Sequence, residues 1–148
     1  MERGCKSSMG ARHSGREAAL QMLFQMEASG ASPEQTISLF WGSFAGEPEG
    51  RAYADEAVRG VAASLEAIDA KIAAASTHWR VERMTRVDRN VLRLGAWELT
   101  ERTDVPRAVA LDEAVELAKG FGTDESSAFV NGVLNRIAES LGRRDEDR

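Results

Sequence analysis

The stretch RVDRNVLRLGAWEL, residues 86–99, decides how this chain folds. At about 100° per residue, its apolar side chains cover more than half of a helical wheel, so the helix needs neighbours on several sides. The remaining edge is cationic and polar, and carries Arg86, Arg89, Asn90 and Arg93 at helical neighbour spacing. Asp88 is an exception, because its position falls inside the apolar arc. The pattern predicts a central core helix that also presents arginines to a charged partner.

The bulk composition is typical of a globular helical protein. The chain has 148 residues, of which 43% are hydrophobic and 29% charged, enough to form a core within one domain or two packed subdomains. The single cysteine excludes an internal disulfide framework and favours a reducing compartment. No run is long and apolar enough to cross a bilayer, and the first residues lack a hydrophobic signal core. We therefore expect a cytoplasmic protein without membrane association.

Capping signals and apolar spacing predict about seven helices and no strands. Ser14 followed by Glu17 is a capping box, and Ser32 with Gln35 repeats the signal before a proline. Between residues 52 and 75 the apolar residues alternate at steps of three and four, which predicts one long helix packed lengthwise on the first or the central helix.

Polarity and helical periodicity also predict the domain organisation of the chain. We expect a flexible tail over residues 1–12, one helical domain over residues 13–141 and a flexible tail over residues 142–148. These ends are polar and lack helical periodicity, so they have no apolar face to pack.

The charge is unevenly distributed on a protein of net charge −5. Residues 33–70 contain seven acidic groups and two arginines, whereas residues 71–107 contain eight basic and five acidic groups. Five arginines recur at helical spacing in the second stretch, without matching acids on the same edge. An ordinary solvated face and a phosphate-binding surface explain them about equally well. A smaller basic group, Arg12, His13 and Arg16, lies at the entry of the first helix.

The sequence contains no catalytic or metal-binding signature. His13 and His78 have no cysteine or carboxylate at ligand spacing, and no glycine-rich phosphate loop follows a strand. Neighbouring carboxylates such as Asp112 and Glu113 would point about 100° apart on a helix. We therefore predict neither enzymatic activity nor a cofactor.

Three other side chains have two interpretations each. Phe24 lies at the margin of the first helix's apolar face, and Phe129 lies early in the last helix. Both could pack in the core, or could stack on an unpaired base beside a basic patch. Asp88 could form a buried ion pair with a neighbouring arginine or could face a partner. The pattern alone leaves these alternatives open.

Four stretches resemble the NusB family of transcription antitermination factors. They are HSGREAALQMLFQME (13–27), RVDRNVLRLGAWEL (86–99), VPRAVALDEAVELAKGFG (105–122) and SSAFVNGVLNRIA (126–138). The resemblance covers roughly residues 12–140, and the last two stretches are its most specific part. It implies an all-α fold of two packed helical subdomains.

The resemblance also implies a function. Members of this family bind the single-stranded boxA element of ribosomal RNA leaders together with NusE, a protein of the small ribosomal subunit. With the transcription elongation complex, they help RNA polymerase to resist termination. On this chain, the resemblance implies RNA contacts at Arg12, His13, Arg16, Glu82, Arg86, Arg89, Glu125 and Phe129, and NusE contacts at Phe24 and Asp88.

Two other functions compete with this one. The chain could be a helical protein–protein interaction module whose arginines are only solvated. NusB-like domains also occur fused to ribosomal RNA cytosine methyltransferases, but the sequence shows no nucleotide-binding sheet. We therefore expect an RNA-binding adaptor that is not an enzyme.

Overall fold

A computed structural model of the protein describes residues 3–77 and 79–144. Within these ranges the chain forms seven α-helices and no strand, which confirms the prediction of an all-α fold. None of these helices is long and apolar enough to cross a membrane. The elements are α1 (Arg3–Ser29), α2 (Pro33–Ser43), α3 (Pro48–Ala63), α4 (Leu65–Ala75), a 3₁₀ turn (Val81–Arg83), α5 (Arg86–Glu101), α6 (Arg107–Phe121) and α7 (Ser126–Ser140).

The helices form two compact units, Met1–Ala63 and Ser64–Arg148. The boundary between them lies inside the segment that the sequence predicts as one long helix over residues 52–75. Ser64 has φ −114° and ψ 24°, which is not helical, and it separates α3 from α4. The prediction of one helix is therefore wrong. Serine is only mildly unfavourable in a helix, so the pattern contains no sign of this break.

The N-terminal unit is built on a close crossing of α1 and α3. A methyl group added at Gly15 would lie 2.7 Å from the Gly50 carbonyl oxygen, and one added at Gly50 would lie 2.8 Å from the Ala11 carbonyl oxygen. These distances are shorter than van der Waals contact, so the two backbones can approach this closely only with glycine at both positions. The buried apolar residues of α1 and α3 are Ala11, Ala18, Ala19, Leu20, Met22, Leu23, Tyr53, Ala54, Ala57, Val58 and Val61.

Of the two capping boxes, the second is confirmed. The Ser32 hydroxyl accepts a hydrogen bond from the Gln35 backbone nitrogen at 3.1 Å, and the Ser32 backbone nitrogen donates to Gln35 Oε1 at 3.0 Å. α2 begins directly after this serine, with proline at its first position.

The first capping box is not a helix start. α1 begins at Arg3, so Ser14 lies in the middle of the helix and residues 3–12 of the predicted tail are helical. Ala11 is buried at the crossing with α3. This packing stabilises helical structure on the N-terminal side of Ser14, where the capping box predicts that the helix begins. Residues 1 and 2 of the predicted tail lie outside the described residues.

α5 is the central helix of the C-terminal unit, as the sequence predicts. It contacts α4, α6 and α7, and Val91, Leu92 and Leu94 are among its buried side chains. Asn90, which belongs to the polar edge by sequence, is also buried. Its Nδ2 donates to the Arg86 carbonyl oxygen at 2.9 Å, so a hydrogen bond within the helix compensates its burial.

The chain remains attached to the C-terminal unit beyond the end of α7. Arg143 is buried, and its guanidinium donates to the carbonyl oxygens of Leu99 at 2.7 Å and Val105 at 2.6 Å. These bonds satisfy backbone acceptors at the end of α5 and in the loop after it. Arg143 was expected in a solvated tail, and it is instead part of the fold. Residues 145–148 of that tail lie outside the described residues.

Candidate nucleic-acid interface

The connection between α4 and α5 presents a tryptophan on a hydrogen-bonded turn. The buried Ser76 donates its hydroxyl to the Trp79 carbonyl oxygen at 2.9 Å, and the Trp79 backbone nitrogen donates to the Ser76 carbonyl oxygen at 3.2 Å. Trp79 nevertheless remains 57% exposed. Its backbone is held in place while much of its side chain is accessible.

Arg89 ties the second half of this connection to α5. Its Nη1 donates to the carbonyl oxygens of Val81 and Met84, both at 2.9 Å. Hydrogen bonds from a charged donor are stronger than neutral ones, so this side chain stabilises the 3₁₀ turn. Direct contact between Arg89 and RNA stays a prediction.

Three arginines on and beside the turn are exposed: Arg80, Arg83 and Arg86. Arg80 approaches the exposed Glu82 at 3.9 Å, and a pair so open to solvent contributes little to stability. The arginines therefore give this surface a local positive charge on an acidic protein.

Arg93 does not extend this exposed group. Its Nε and Nη2 donate to the two carboxylate oxygens of Asp69, both at 2.9 Å, and its Nη1 donates to Asn90 Oδ1 at 3.2 Å. The sequence predicts no matching acid on the same edge of the helix, and the acid that pairs with Arg93 lies on another helix. The acid belongs to α4, which no periodicity within α5 could reveal.

The first turns of α7 lie beside the same tryptophan. The rings of Trp79 and Phe129 have centroids 6.4 Å apart and planes inclined by 77°, an edge-to-face pair. Phe129 is half-buried, and Glu125, one helical turn earlier, is exposed. The fold of the C-terminal unit thus brings Phe129, in the first turns of α7, to the connection that carries Glu82.

One carboxylate oxygen of Asp88 is buried. Its backbone nitrogen donates to Thr85 Oγ1 at 3.1 Å, so Thr85 caps α5. Its Oδ1 is shielded from solvent and accepts no hydrogen bond within residues 3–77 and 79–144. The internal ion pair that the sequence left open does not form within these ranges.

In the N-terminal unit, two arginines that are predicted to contact RNA pack against the same tyrosine ring. The guanidinium carbons of Arg12 and Arg16 are 5.1 and 5.4 Å from the centroid of the Tyr53 ring. Arg12 is half-buried, whereas Arg16 is only 4% exposed. Arg16 is thus part of the interior in this structure, and its contact with RNA stays a prediction.

The other two candidates on α1 are accessible. His13 Nε2 lies 3.4 Å from Glu17 Oε2, and both side chains are more than two-fifths exposed. Glu17 is one helical turn from His13, so the prediction that no carboxylate lies at ligand spacing from this histidine is wrong. Phe24, farther along the helix, is 38% exposed, in agreement with its place at the margin of the apolar face.

The sequence predicts no role for Tyr53 or Trp79. Nothing near Tyr53 in the sequence links it to Arg12 and Arg16, because the contact depends on the α1–α3 crossing. The sequence does contain a sign of Trp79, since it is a large aromatic residue in a polar connection and is followed closely by Arg80 and Arg83.

No group of three histidine, cysteine or carboxylate side chains in the described part of the chain could hold a metal ion. His78, one of the two histidines considered in the sequence, lies outside that part.

Comparison with known proteins gives consistent matches along most of the chain. The model of the NusB family matches residues 13–139. "Transcription antitermination protein NusB" of Sorangium cellulosum is 68% identical over 140 residues, which cover 95% of this chain and 100% of that protein. A solved structure of T. maritima NusB has a TM-score of 0.78 and 35% sequence identity. This match covers 86% of this chain and 90% of that one.

A second solved structure contains further components. A chain in the crystal structure of antitermination factors NusB and NusE in complex with double-stranded RNA has a TM-score of 0.80 and 26% identity. The match covers 89% of this chain and 98% of that one.

Proposed function

The chain belongs to the NusB family, and we propose that it acts as a transcription antitermination factor on boxA-type RNA in ribosomal RNA leaders. It binds this RNA together with NusE and joins the transcription elongation complex, where it supports processive transcription. It is an adaptor and not an enzyme. Since its partners belong to the transcription apparatus, its place of action is the cytoplasm.

One observation carries the assignment of the RNA surface in the C-terminal unit. The contact between Trp79 and Phe129 joins the first turns of α7 to the connection before α5, about 50 residues apart in the sequence. Phe129 therefore lies beside the connection that carries Glu82 and the exposed Arg80 and Arg83. Aromatic and cationic side chains together are the usual composition of surfaces that bind single-stranded RNA.

Each predicted residue of this surface has a role that its chemistry suits. Arg86 contacts a phosphate, and Phe129 offers an apolar ring beside the bases. Glu82 and Glu125 are exposed carboxylates that accept hydrogen bonds from base amino groups. Arg89 holds the turn in shape through its bonds to two carbonyl oxygens.

The N-terminal unit contributes a second group to the proposal. Arg12 and His13 reach the surface of α1 and are assigned to phosphate contact. Arg16 supports them from the interior, because it packs on the same Tyr53 ring as Arg12.

Phe24 and Asp88 are assigned to NusE. Phe24 is an exposed aromatic, a type of residue that is enriched in protein interfaces. The Asp88 carboxylate has a shielded oxygen without a donor, which costs roughly 1–3 kcal/mol if it stays unsatisfied. A basic group of NusE would supply that donor.

The RNA assignment is tested with Arg86→Ala, in fluorescence anisotropy of a labelled boxA RNA with NusE present, over a range of salt concentrations. We expect weaker binding and a salt slope reduced by roughly 0.7–0.9, because one phosphate contact is lost. Arg86 is a better choice than Arg89, whose replacement would also disturb the turn.

The matched control is Arg59→Ala, which removes the same charge from an exposed arginine of α3 that is paired with Glu34. An equal loss of affinity in both variants would mean that only net charge matters, and would contradict the site. If the unmodified protein with NusE bound no RNA, the protein–protein interaction module would replace this proposal.

The NusE assignment is tested with Asp88→Arg. We expect NusE affinity, measured by titration calorimetry, to fall at least tenfold, because a cation would meet the basic group that the carboxylate is proposed to bind. Asp112→Arg is the control, since it reverses the charge of an exposed residue on α6. Unchanged affinity of Asp88→Arg would remove Asp88 from the interface.

A further inference from the structure

We propose that Trp79 is a stacking platform for one unpaired RNA base. This inference rests on the RNA-binding function proposed above and adds a residue that the resemblance does not assign. It is based on three properties of Trp79: the accessibility of its ring, the way the ring is held, and the charges around it.

The first property is that the fold leaves more than half of this side chain exposed to solvent. Trp79 is 57% exposed, whereas Ser76 and Met84 of the same connection are buried. Met84 therefore anchors the connection to the apolar interior, and the indole is left at the surface. Tryptophan is highly buried on average in proteins, so an indole that is more than half exposed contributes less to packing than is usual for this residue.

The second property is that the exposed ring is held in place. Two hydrogen bonds with Ser76 restrain the backbone of Trp79, and Phe129 packs against the indole edge-to-face. An edge-to-face contact occupies only a small part of the ring surfaces, so area remains for a further planar group. Since the ring is already ordered, little conformational entropy is lost when a base stacks on it.

The third property is the charge next to the ring. Arg80 follows Trp79 directly, and Arg83 lies on the 3₁₀ turn after it; both are exposed. Their guanidinium groups suit the phosphates on either side of a stacked nucleotide. Alternating cations and aromatic rings bind single strands without requiring a particular base, because every base has a flat face.

This arrangement favours a single strand over a duplex. In an A-form duplex the bases are stacked on each other and the flat faces are not accessible to side chains. We therefore expect Trp79 to contribute to binding of single-stranded boxA RNA and not to binding of the same sequence in a duplex.

The experiment compares Trp79→Ala, Trp79→Phe and the unmodified protein in anisotropy titrations with single-stranded boxA RNA and NusE. Trp79→Ala should bind about tenfold more weakly or worse, which is the usual effect of losing one base–aromatic stack. Trp79→Phe should keep most of the affinity. The salt slope of Trp79→Ala should stay unchanged, because stacking displaces no counterions, in contrast to Arg86→Ala.

The control variant is Phe121→Ala, which truncates another exposed aromatic residue of the same unit, 41% exposed on α6. It should leave RNA affinity unchanged. An equal loss of affinity in Phe121→Ala and Trp79→Ala would indicate a general effect of truncation and would overturn the proposal.

Fluorescence gives a readout that a merely structural role would not change. Stacking of a base on an indole quenches its emission, so RNA should quench the tryptophan fluorescence of the unmodified protein. Trp79→Phe keeps Trp41 and Trp97 and should show no such quenching. Persistence of the full quenching in Trp79→Phe would overturn the proposal.

RNA with a single abasic position identifies the stacked nucleotide. At that position, the abasic RNA should bind Trp79→Ala and the unmodified protein equally. Suppose that the unmodified protein binds RNA and that Trp79→Ala binds every RNA as tightly as the unmodified protein does. In that case only this inference fails. If the unmodified protein binds no RNA in the presence of NusE, the proposed function itself fails.

Discussion

Two groups of arginines, one in each unit of this protein, lie in opposite surroundings. In the N-terminal unit, Arg12 and Arg16 lie over the Tyr53 ring, and Arg16 is almost fully buried. In the C-terminal unit, Arg83 and Arg86 are exposed, on the 3₁₀ turn and at the start of α5. The guanidinium group suits both settings, because it is planar, weakly hydrated and always charged. An arginine on a helix edge is therefore not evidence of a ligand until its neighbours are known.

The difference follows from the backbone that surrounds each group. The contact of Gly15 with Gly50 brings α1 and α3 so close that a side chain at position 16 is covered. The connection before α5 is held by hydrogen bonds to its backbone, and although Ser76 and Met84 are buried, the side chains at positions 79, 80 and 83 remain at the surface. Three predictions test this comparison.

The largest effect is expected at the helix crossing. Gly15→Ala places a methyl group on α1 at 2.7 Å from the Gly50 carbonyl oxygen of α3. Because neither the methyl group nor the carbonyl oxygen is the end of a flexible side chain, the two helices must separate. We expect a loss of about 2 kcal/mol in the free energy of unfolding, measured by urea denaturation. Gly10→Ala on the same helix is the control, because its methyl group would meet no atom within 4 Å. Equal stability of the two variants would contradict the close crossing.

A smaller effect is expected from the buried arginine. Arg16→Ala should lower the free energy of unfolding by about 1–2 kcal/mol, because it removes a desolvated cation–π contact and leaves a gap beside Tyr53. Arg86→Ala should change stability by less than about 0.5 kcal/mol, as an exposed substitution does. Guanidinium denaturation of both variants measures the difference. If both lost the same stability, the two arginine groups would not differ as described.

The smallest effect concerns a surface ion pair, which shows how little an exposed arginine contributes to the fold. The hydrogen bond from Arg59 lowers the pKa of Glu34 below its ordinary value of 4.5. A carboxylate with a lowered pKa stabilises the fold above its ordinary pKa, and this contribution is lost as the pH falls through the lower, folded-state pKa. Glu34→Gln should therefore be slightly less stable than the unmodified protein at pH 7 and equally stable at the acid end.

Urea midpoints of both proteins between neutral pH and pH 3 measure this convergence. In an Arg59→Ala background, Glu34→Gln should produce no pH-dependent difference, since the hydrogen bond that lowers the pKa is absent. A difference that persists in that background would assign the effect to another neighbour of Glu34.

The sequence predicts helices well where the signal is local. The capping box at Ser32 and the central position of α5 depend on residues within one or two turns of each other, and both are confirmed. The same type of signal fails at Ser14, where packing of Ala11 on α3 extends the helix in the N-terminal direction. It also misses the break at Ser64, where the residue's own propensity does not oppose a helix.

The site residues were predicted by resemblance, and periodicity could not assign their surroundings. Sequence spacing places Arg86, Arg89 and Arg93 on one edge of α5, and they have three different environments. Arg86 is exposed, Arg89 donates to backbone carbonyl oxygens, and Arg93 is paired with an acid of α4. The partners of Arg89 and Arg93 belong to other segments, so no property of α5 alone distinguishes the three residues.

By itself, the sequence determined the all-α class, the central position of the stretch 86–99 and, through its motifs, the NusB family. Helical periodicity and capping act over a few residues, which is why these features can be read directly. Only the tertiary structure decided that Arg16 is buried on Tyr53, that Arg93 is neutralised, and that Trp79 stands beside Phe129 at the surface. Those outcomes depend on contacts between residues distant along the chain, and such contacts exist only after the helices have packed.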